Sequence, residues 1–250
     1  MSGQIIIEQH AAVAVLTMNK PERRNALGTE SVRALSAALR QCDRNEEINA
    51  IVLTGCEPAF CAGSDLKELG GLSVEDMCEH EAVTARVVRE IPMLGAPVVA
   101  AVEGYALGGG FGLALACDVI ISAANVKWKM PEVRNGWLPP WGLIPVIAKV
   151  GPARARLLTW GIYEVDGVEA FRLGLVEQLC EPGRARETAI RTAERLAALP
   201  RGSARSTKRY FQQFIVPDCE RLDAEAGRIF ADDARSEASQ ATLARFAAKA

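Results

Sequence analysis

Val98-Val99-Ala100-Ala101-Val102-Glu103-Gly104-Tyr105-Ala106-Leu107-Gly108-Gly109-Gly110-Phe111-Gly112-Leu113-Ala114-Leu115-Ala116-Cys117 is the stretch whose reading decides the fold. Val98 to Val102 is a continuous apolar run, short and β-branched enough for a buried strand. Glu103-Gly104 breaks it. Three consecutive glycines follow, and Phe111 to Cys117 carries helix formers with almost no polar face. The reading is strand, glycine turn, buried helix. Glycines at a helix start allow close approach to the backbone, and the free N–H groups there attract negative charge.

Upstream, Ile5 to His10 and Val13 to Met18 form a hairpin pattern around a tight polar break. Asn19 to Leu27 is a basic, proline-bearing loop. Thr29 offers an N-cap for a helix to about Arg40, with Val32, Leu35 and Leu39 as its apolar positions. Ala50 to Thr54 is a further buried strand. Gly55 to Leu69 is a loop turning into a short helix, and Ser73 caps a longer helix through Ile91. Glu75 and Asp76 sit in the first turn of that helix, as the macrodipole favours.

Downstream, Val119 to Ser122 and Val126 to Met130 read as strands. Pro131 to Gly142 is irregular and dense in proline, glycine and tryptophan. From Gly151 the pattern turns helical, over 152–160, 166–173, 183–198, 202–213, 218–230 and from Asp232 onward. The whole is an α/β body, residues 1–195, followed by a C-terminal helical region, residues 196–250. Whether the tail packs on its own body or on a neighbouring subunit stays open.

The composition bounds the function. The 250 residues suffice for a sizeable core, and a formal net charge of −2 without a dense Lys/Arg run leaves no footprint for nucleic acid. Seven scattered cysteines without a C-x-x-C pair point to reduced thiols. No basic and apolar leader opens the chain, and no apolar run approaches membrane-spanning length, so a cytoplasmic protein is expected. The glycine cluster is no G-x-G-x-x-G fingerprint, and G-K-[ST] is absent. With only two histidines, His10 and His80, a Ser-His-Asp triad or a histidine metal site is poorly supported. Ser64 lies outside any G-x-S-x-G elbow. What remains is two glycine turns that each start a helix, Ala62-Gly63-Ser64 and Gly108-Gly109-Gly110. They serve either close packing or a pair of N–H donors aimed at one oxygen.

Phe60-Cys61-Ala62-Gly63-Ser64-Asp65-Leu66-Lys67-Glu68-Leu69, with Val102 to Gly110 and Cys117-Asp118-Val119, resembles the crotonase superfamily, the enoyl-CoA hydratase/isomerase family. Asn19-Lys20-Pro21 before Arg24-Asn25-Ala26-Leu27 is similar to its CoA-side loop, and Pro131-Glu132-Val133 to its acidic catalytic segment. The resemblance spans about residues 5–180. It implies a spiral of ββα units followed by a C-terminal trimerisation region, as a homotrimer or a dimer of trimers.

It implies an acyl-CoA thioester as substrate, in fatty acid metabolism. Coenzyme A is then part of the substrate and no separate cofactor is needed. The N–H groups of Ser64 and Gly109 would hold the thioester oxygen, stabilising an enolate. The main chain from Ser64 to Lys67 and at Ala26, with Ala62, Asp65 and Leu66, would contact CoA, and Arg24 would lie near its phosphates.

The departure from the family pattern is informative. Family hydratases carry a glutamate two residues after the third glycine, and here that position is Gly112. The other glutamate is present as Glu132. One carboxylate suits moving a proton between two carbons, so isomerase-type transfer by Glu132 is favoured over hydration. Glu132 is either an exposed loop residue or a desolvated acid among Trp137, Trp141 and prolines. The two tryptophans either reshape an acyl pocket for a flat or bulky group or pack in the core. Pro139-Pro140 resembles the hydroxycinnamoyl-CoA hydratase-lyases, and a non-catalytic acyl-CoA binder is the reading from another class.

Overall fold

The computed structural model describes residues 3–215 and 218–248. The chain begins with β1 (Ile5–His10), β2 (Val13–Met18), α1 (Thr29–Arg44), β3 (Ala50–Gly55), α2 (Leu66–Leu69) and α3 (Val74–Met93). β4 (Val98–Val102), β5 (Tyr105–Leu107), α4 (Gly109–Leu115), β6 (Val119–Ala123), β7 (Lys127–Lys129) and α5 (Glu132–Asn135) come next. α6 (Leu143–Thr159), α7 (Gly167–Arg172), β8 (Gln178–Cys180) and α8 (Ala185–Ala197) lead to α9 (Arg201–Ile215), α10 (Cys219–Ala234) and α11 (Glu237–Ala247).

Six strands form one sheet in the order β1-β2-β3-β4-β6-β8. Only β1–β2 is antiparallel; the other neighbours are parallel. The central strands β2, β3, β4 and β6 are mostly apolar because both faces are covered. On one face Val13, Val15, Val52, Val99 and Ala101 meet Ala185, Ala189 and Ala193 of α8. On the other, Leu16, Ile51, Leu53, Val98 and Ala100 pack with α1, α3 and α4 through Leu35, Leu39, Val88, Ile91 and Phe111. A second, two-stranded sheet pairs β5 with β7 in parallel. Its Ala106 bridges Cys61, and Trp128 bridges Val165, so successive loops stack on one another.

Several expectations change. The β1–β2 turn is Ala11-Ala12 rather than a polar break, with Ala11 at φ 49°. Gly28, not Thr29, is the N-cap of α1, which runs on to Arg44. The missing cap is supplied from elsewhere: Thr29 N–H and Oγ1–H donate to Glu68 Oε1 at 3.1 and 2.5 Å. α6 begins at Leu143, ahead of the expected 152, and breaks its helical geometry at Gly151 (φ 73°, ψ 163°), just before Pro152. The helix expected from Asp232 starts later, because α10 runs on to Ala234 and Ser236 caps α11 from Glu237.

The tail packs on its own body. α10 lies along α3 and α11 along α2. α9 is fastened by Lys208, whose buried Nζ donates to Ile91 O, Ala96 O and Asp118 Oδ2 at 3.0, 2.9 and 2.7 Å. Among the described residues, no helix is long and apolar enough to cross a membrane. The thiols of Cys42, Cys61 and Cys117 are buried in the core and form no disulfide.

Candidate active site

The parallel strands deliver two loops to one place. The loop after β3 is tied down by Asn25, whose Nδ2 donates to Cys56 O and Ala59 O at 2.7 and 2.6 Å. It then reaches Gly63, at φ 86°. A Cβ there would stand 2.7 Å from Leu107 O and 3.0 Å from Gly109 N, so only glycine lets the two turns touch. Neither Ser64 nor Gly109 donates its N–H to a backbone carbonyl in the turn and loop bonds described. Gly109 opens α4, where an N–H has no intrahelical acceptor. Both residues line one cavity of about 50 Å³.

Glu132 opens α5 and its carboxyl end enters the same cavity. The residue as a whole is half-buried, but Oε2 is buried and, among the described residues, has no hydrogen-bond partner. Gly108 makes room for it, since a Cβ on Gly108 would stand 2.6 Å from Glu132 Oε1. Burial pushes the carboxyl up from an ordinary 4.5 to about 8, and the charge of Glu81 pushes the same way. Glu132 is therefore a desolvated acid in the cavity that Ser64 and Gly109 line, not an exposed loop residue.

Trp141 fills the space in front of Gly112. A Cβ on Gly112 would lie 3.1 Å from its Cζ3, and one on Gly109 would lie 2.9 Å from its Cη2. The indole is 5% exposed and its Nε1–H donates to Glu81 Oε2 at 2.6 Å. Glu81, on α3, also lines the cavity. Trp137 is buried too, edge-on to Phe230 of α10 with ring centroids 6.2 Å apart. The two tryptophans thus both face the cavity and belong to the packed interior.

The residues assigned to CoA contact divide. Ala62 and Leu66 line the cavity with Ser64, Gly109 and Glu132; Arg24, Ala26, Asp65 and Lys67 do not. Ala26 is buried, and Lys67 N–H donates to Asp65 Oδ1 at 3.2 Å. Asp65 caps α2 and pairs with Lys20 Nζ at 3.2 Å and with Arg23. Arg24, left-handed at φ 52°, places its guanidinium 5.7 Å from the centroid of Tyr105, and Lys127 Nζ lies equally close to that ring.

Sequence reasoning missed the room that Gly108 makes for Glu132, and it missed Glu81 and the tail. Phe230 and Ala234 of α10 and Leu243 of α11 close the cavity, so the C-terminal helices complete the site. For Glu81 a signal existed. It falls on the stripe of Met77, Thr84, Ala85 and Val88, a carboxylate on the buried face of its helix.

One small cavity brings a protonatable carboxyl together with the glycine-turn residues Ser64 and Gly109. The sequence profile described as enoyl-CoA hydratase/isomerase matches residues 8–250. A crotonyl-CoA hydratase of Syntrophomonas wolfei is 31% identical over 245 residues, covering 96% of this chain and 94% of that protein. A probable enoyl-CoA hydratase of Rhizobium meliloti is 36% identical over 205 residues, 82% of this chain and 79% of that one. Among solved structures, a monofunctional enoyl-CoA isomerase from M. smegmatis superposes with a TM-score of 0.72 at 27% identity, covering 86% of this chain and 94% of that one. With the profile spanning nearly the whole sequence, the chain belongs to the enoyl-CoA hydratase/isomerase family.

Proposed function

We propose that this chain isomerises an enoyl-CoA thioester by moving one proton between carbons, with Glu132 as acid and base. The observation that carries the reading is the Glu132 carboxyl, whose Oε2 is buried and unpartnered among the described residues, in a cavity where Trp141 crowds position 112. The N–H groups of Ser64 and Gly109 hold the thioester oxygen. The Glu132 carboxylate takes a proton from C2 of a 3-enoyl ester, and the C–H pair becomes the enolate π system. That charge collects on the oxygen facing the two donors. The same carboxyl delivers a proton at C4, and the double bond ends between C2 and C3. One base suffices, because the carboxyl that takes a proton at C2 can also give one at C4.

The hydratase reading is favoured by the names of the sequence relatives, which are hydratases. Parallel assays of crotonyl-CoA hydration and 3-enoyl-CoA isomerisation separate the two. Isomerisation is expected to dominate, and to drop by roughly 10²-fold or more in Glu132→Gln. Hydration outpacing isomerisation in the wild-type chain would sink the proposal. Turnover of neither ester, with tight binding of both, would leave a non-catalytic binder. The exposed aromatics Tyr210, Phe211 and Phe214 on α9 support the further reading of a trimer, which sedimentation tests.

A further inference from the structure

We propose that Glu81 is the relay through which the proton on Glu132 exchanges with solvent. This rests on the reading of Glu132 as the acid and base. Glu81 is 4% exposed, and among the described residues its carboxylate accepts from the Trp141 indole and pairs with no cation. A carboxylate buried on a single neutral donor is costly, and a neutral glutamine would fasten the indole as well.

The position of Glu81 supplies a reason for the charge. Behind the cavity, between α3 and α10, runs a groove of about 450 Å³. Its charged groups are Arg86 and Arg89 of α3 and Glu220, Asp223 and Arg228 of α10, with Arg89 paired to Asp223 at 2.5 Å. Three residues line both the cavity and the groove: Glu81, Pro140 and Phe230. Of these, only Glu81 can carry a proton. The cavity, at about 50 Å³, exceeds the 10–15 Å³ or so that one water occupies by that measure. The cavity that both residues line therefore has room for a water.

The transfer balances without any further reactant. The Glu132 carboxylic acid loses its proton through that water to the Glu81 carboxylate. Glu81 passes it to water in the groove and returns to a carboxylate. The reverse path brings a solvent proton in. The charge of Glu81 is felt at Glu132, as expected for carboxyls sharing one cavity.

The test is isomerisation of a 3-enoyl-CoA in D2O, reading deuterium at C4 of the product by mass spectrometry. Wild-type product is expected to carry deuterium. In Glu81→Gln the deuterium incorporated per turnover should fall by about tenfold, a modest share of what a positioned acid–base group contributes. Glu81→Asp should recover part of it. Trp141→Phe, which removes the indole N–H but leaves the carboxylate, should keep it. Because incorporation is counted per product formed, partial misfolding of a variant does not imitate the effect. Wild-type product without deuterium, or Glu81→Gln product as labelled as wild type, would overturn the relay while the isomerase reading stands. Trp141→Phe losing label as fully as Glu81→Gln would also overturn it, by showing that the carboxylate acts only through the indole. No conversion by the wild-type chain overturns the isomerase reading itself, and the relay with it.

Discussion

Trp141 and Gly112 are complementary: the indole Cζ3 lies 3.1 Å from where a Cβ on Gly112 would stand, and Glu81 holds the ring there by its Nε1–H. Gly112 is therefore more than a lost acid. The buried helix α4 presents a bare backbone to an aromatic plane, and a carboxylate from α3 holds that plane in place.

Restoring an acid at this position should fail. Gly112→Glu forces the side chain into a ring that is 5% exposed and hydrogen-bonded, so it should destabilise the fold by about 1–3 kcal/mol, the usual cost of overpacking. Urea unfolding measures the loss, and crotonyl-CoA hydration should not improve. A variant as stable as wild type and newly active in hydration would mean that Trp141 swings away freely.

Glu132 makes stability depend on pH in a definite direction. Its carboxyl is raised from 4.5 to about 8 by burial, with Glu81 adding to the effect. Between those values the folded chain binds a proton that the unfolded chain releases, so this group's contribution to stability falls as pH rises through the window. Glu132→Gln cannot ionise. Its urea midpoint should therefore drop less than that of wild type between about pH 5 and about pH 9. Parallel curves would show that the carboxyl is solvated.

The same shift sets the rate profile. Isomerisation begins with the carboxylate form, so kcat/KM should climb with pH and level off above about 8. A flat profile from pH 6 upward, to within about twofold, would require a base of ordinary carboxylate acidity.

Gly63 is the joint between the two turns. Alanine there is strained at φ 86° and brings a Cβ to 2.7 Å from Leu107 O and 3.0 Å from Gly109 N. Gly63→Ala should displace the Gly109 donor and lower kcat by roughly 10²–10³-fold, as losing one oxyanion donor does. Retained rate would separate the Gly109 N–H from the chemistry.

The legible parts of this chain were those written locally. β4 and α4 stand where the Val98–Val102 run and the glycine turn put them, and the Ser73 cap holds α3 through Asp76 N–H at 3.0 Å. β5 and β8 are three residues each, too short for any period to show. Thr29 looks like a cap because hydroxyl residues commonly are, but its acceptor is Glu68, 39 residues on. Glu81 breaks the apolar stripe of α3 visibly, yet its partner Trp141 lies 60 residues away, and no periodicity joins them. Long-range polar pairs of this kind belong to the tertiary structure alone.

Asp65 joins the candidate CoA-side loop to the start of α2, and the two jobs can be separated. Its Oδ1 accepts from Lys67 N–H and Glu68 N–H at 3.2 and 3.4 Å, while its carboxylate pairs with Lys20 and Arg23. Burial, the largest influence, would by itself raise this carboxyl, but the bonds and charges of Arg23 and Lys20 together hold it below its ordinary value of 3.8. A depressed carboxyl adds stability above its unfolded value and loses it as pH falls through the folded one, so the contribution is complete at neutral pH and disappears in acid. Asp65→Asn keeps a good cap and drops the charge, whereas Asp65→Ala loses both. At neutral pH Asp65→Ala should therefore cost about 1 kcal/mol more than Asp65→Asn, the usual worth of an N-cap. The asparagine variant should also lose the acid-side fall in stability that wild type owes to this group, and should raise KM for CoA esters by loosening the Lys20–Leu27 loop. Urea midpoints at neutral and acid pH check the first two, and steady-state kinetics the third. Equal cost for both substitutions would show that the cap contributes nothing and that the ion pairs alone hold the loop to α2.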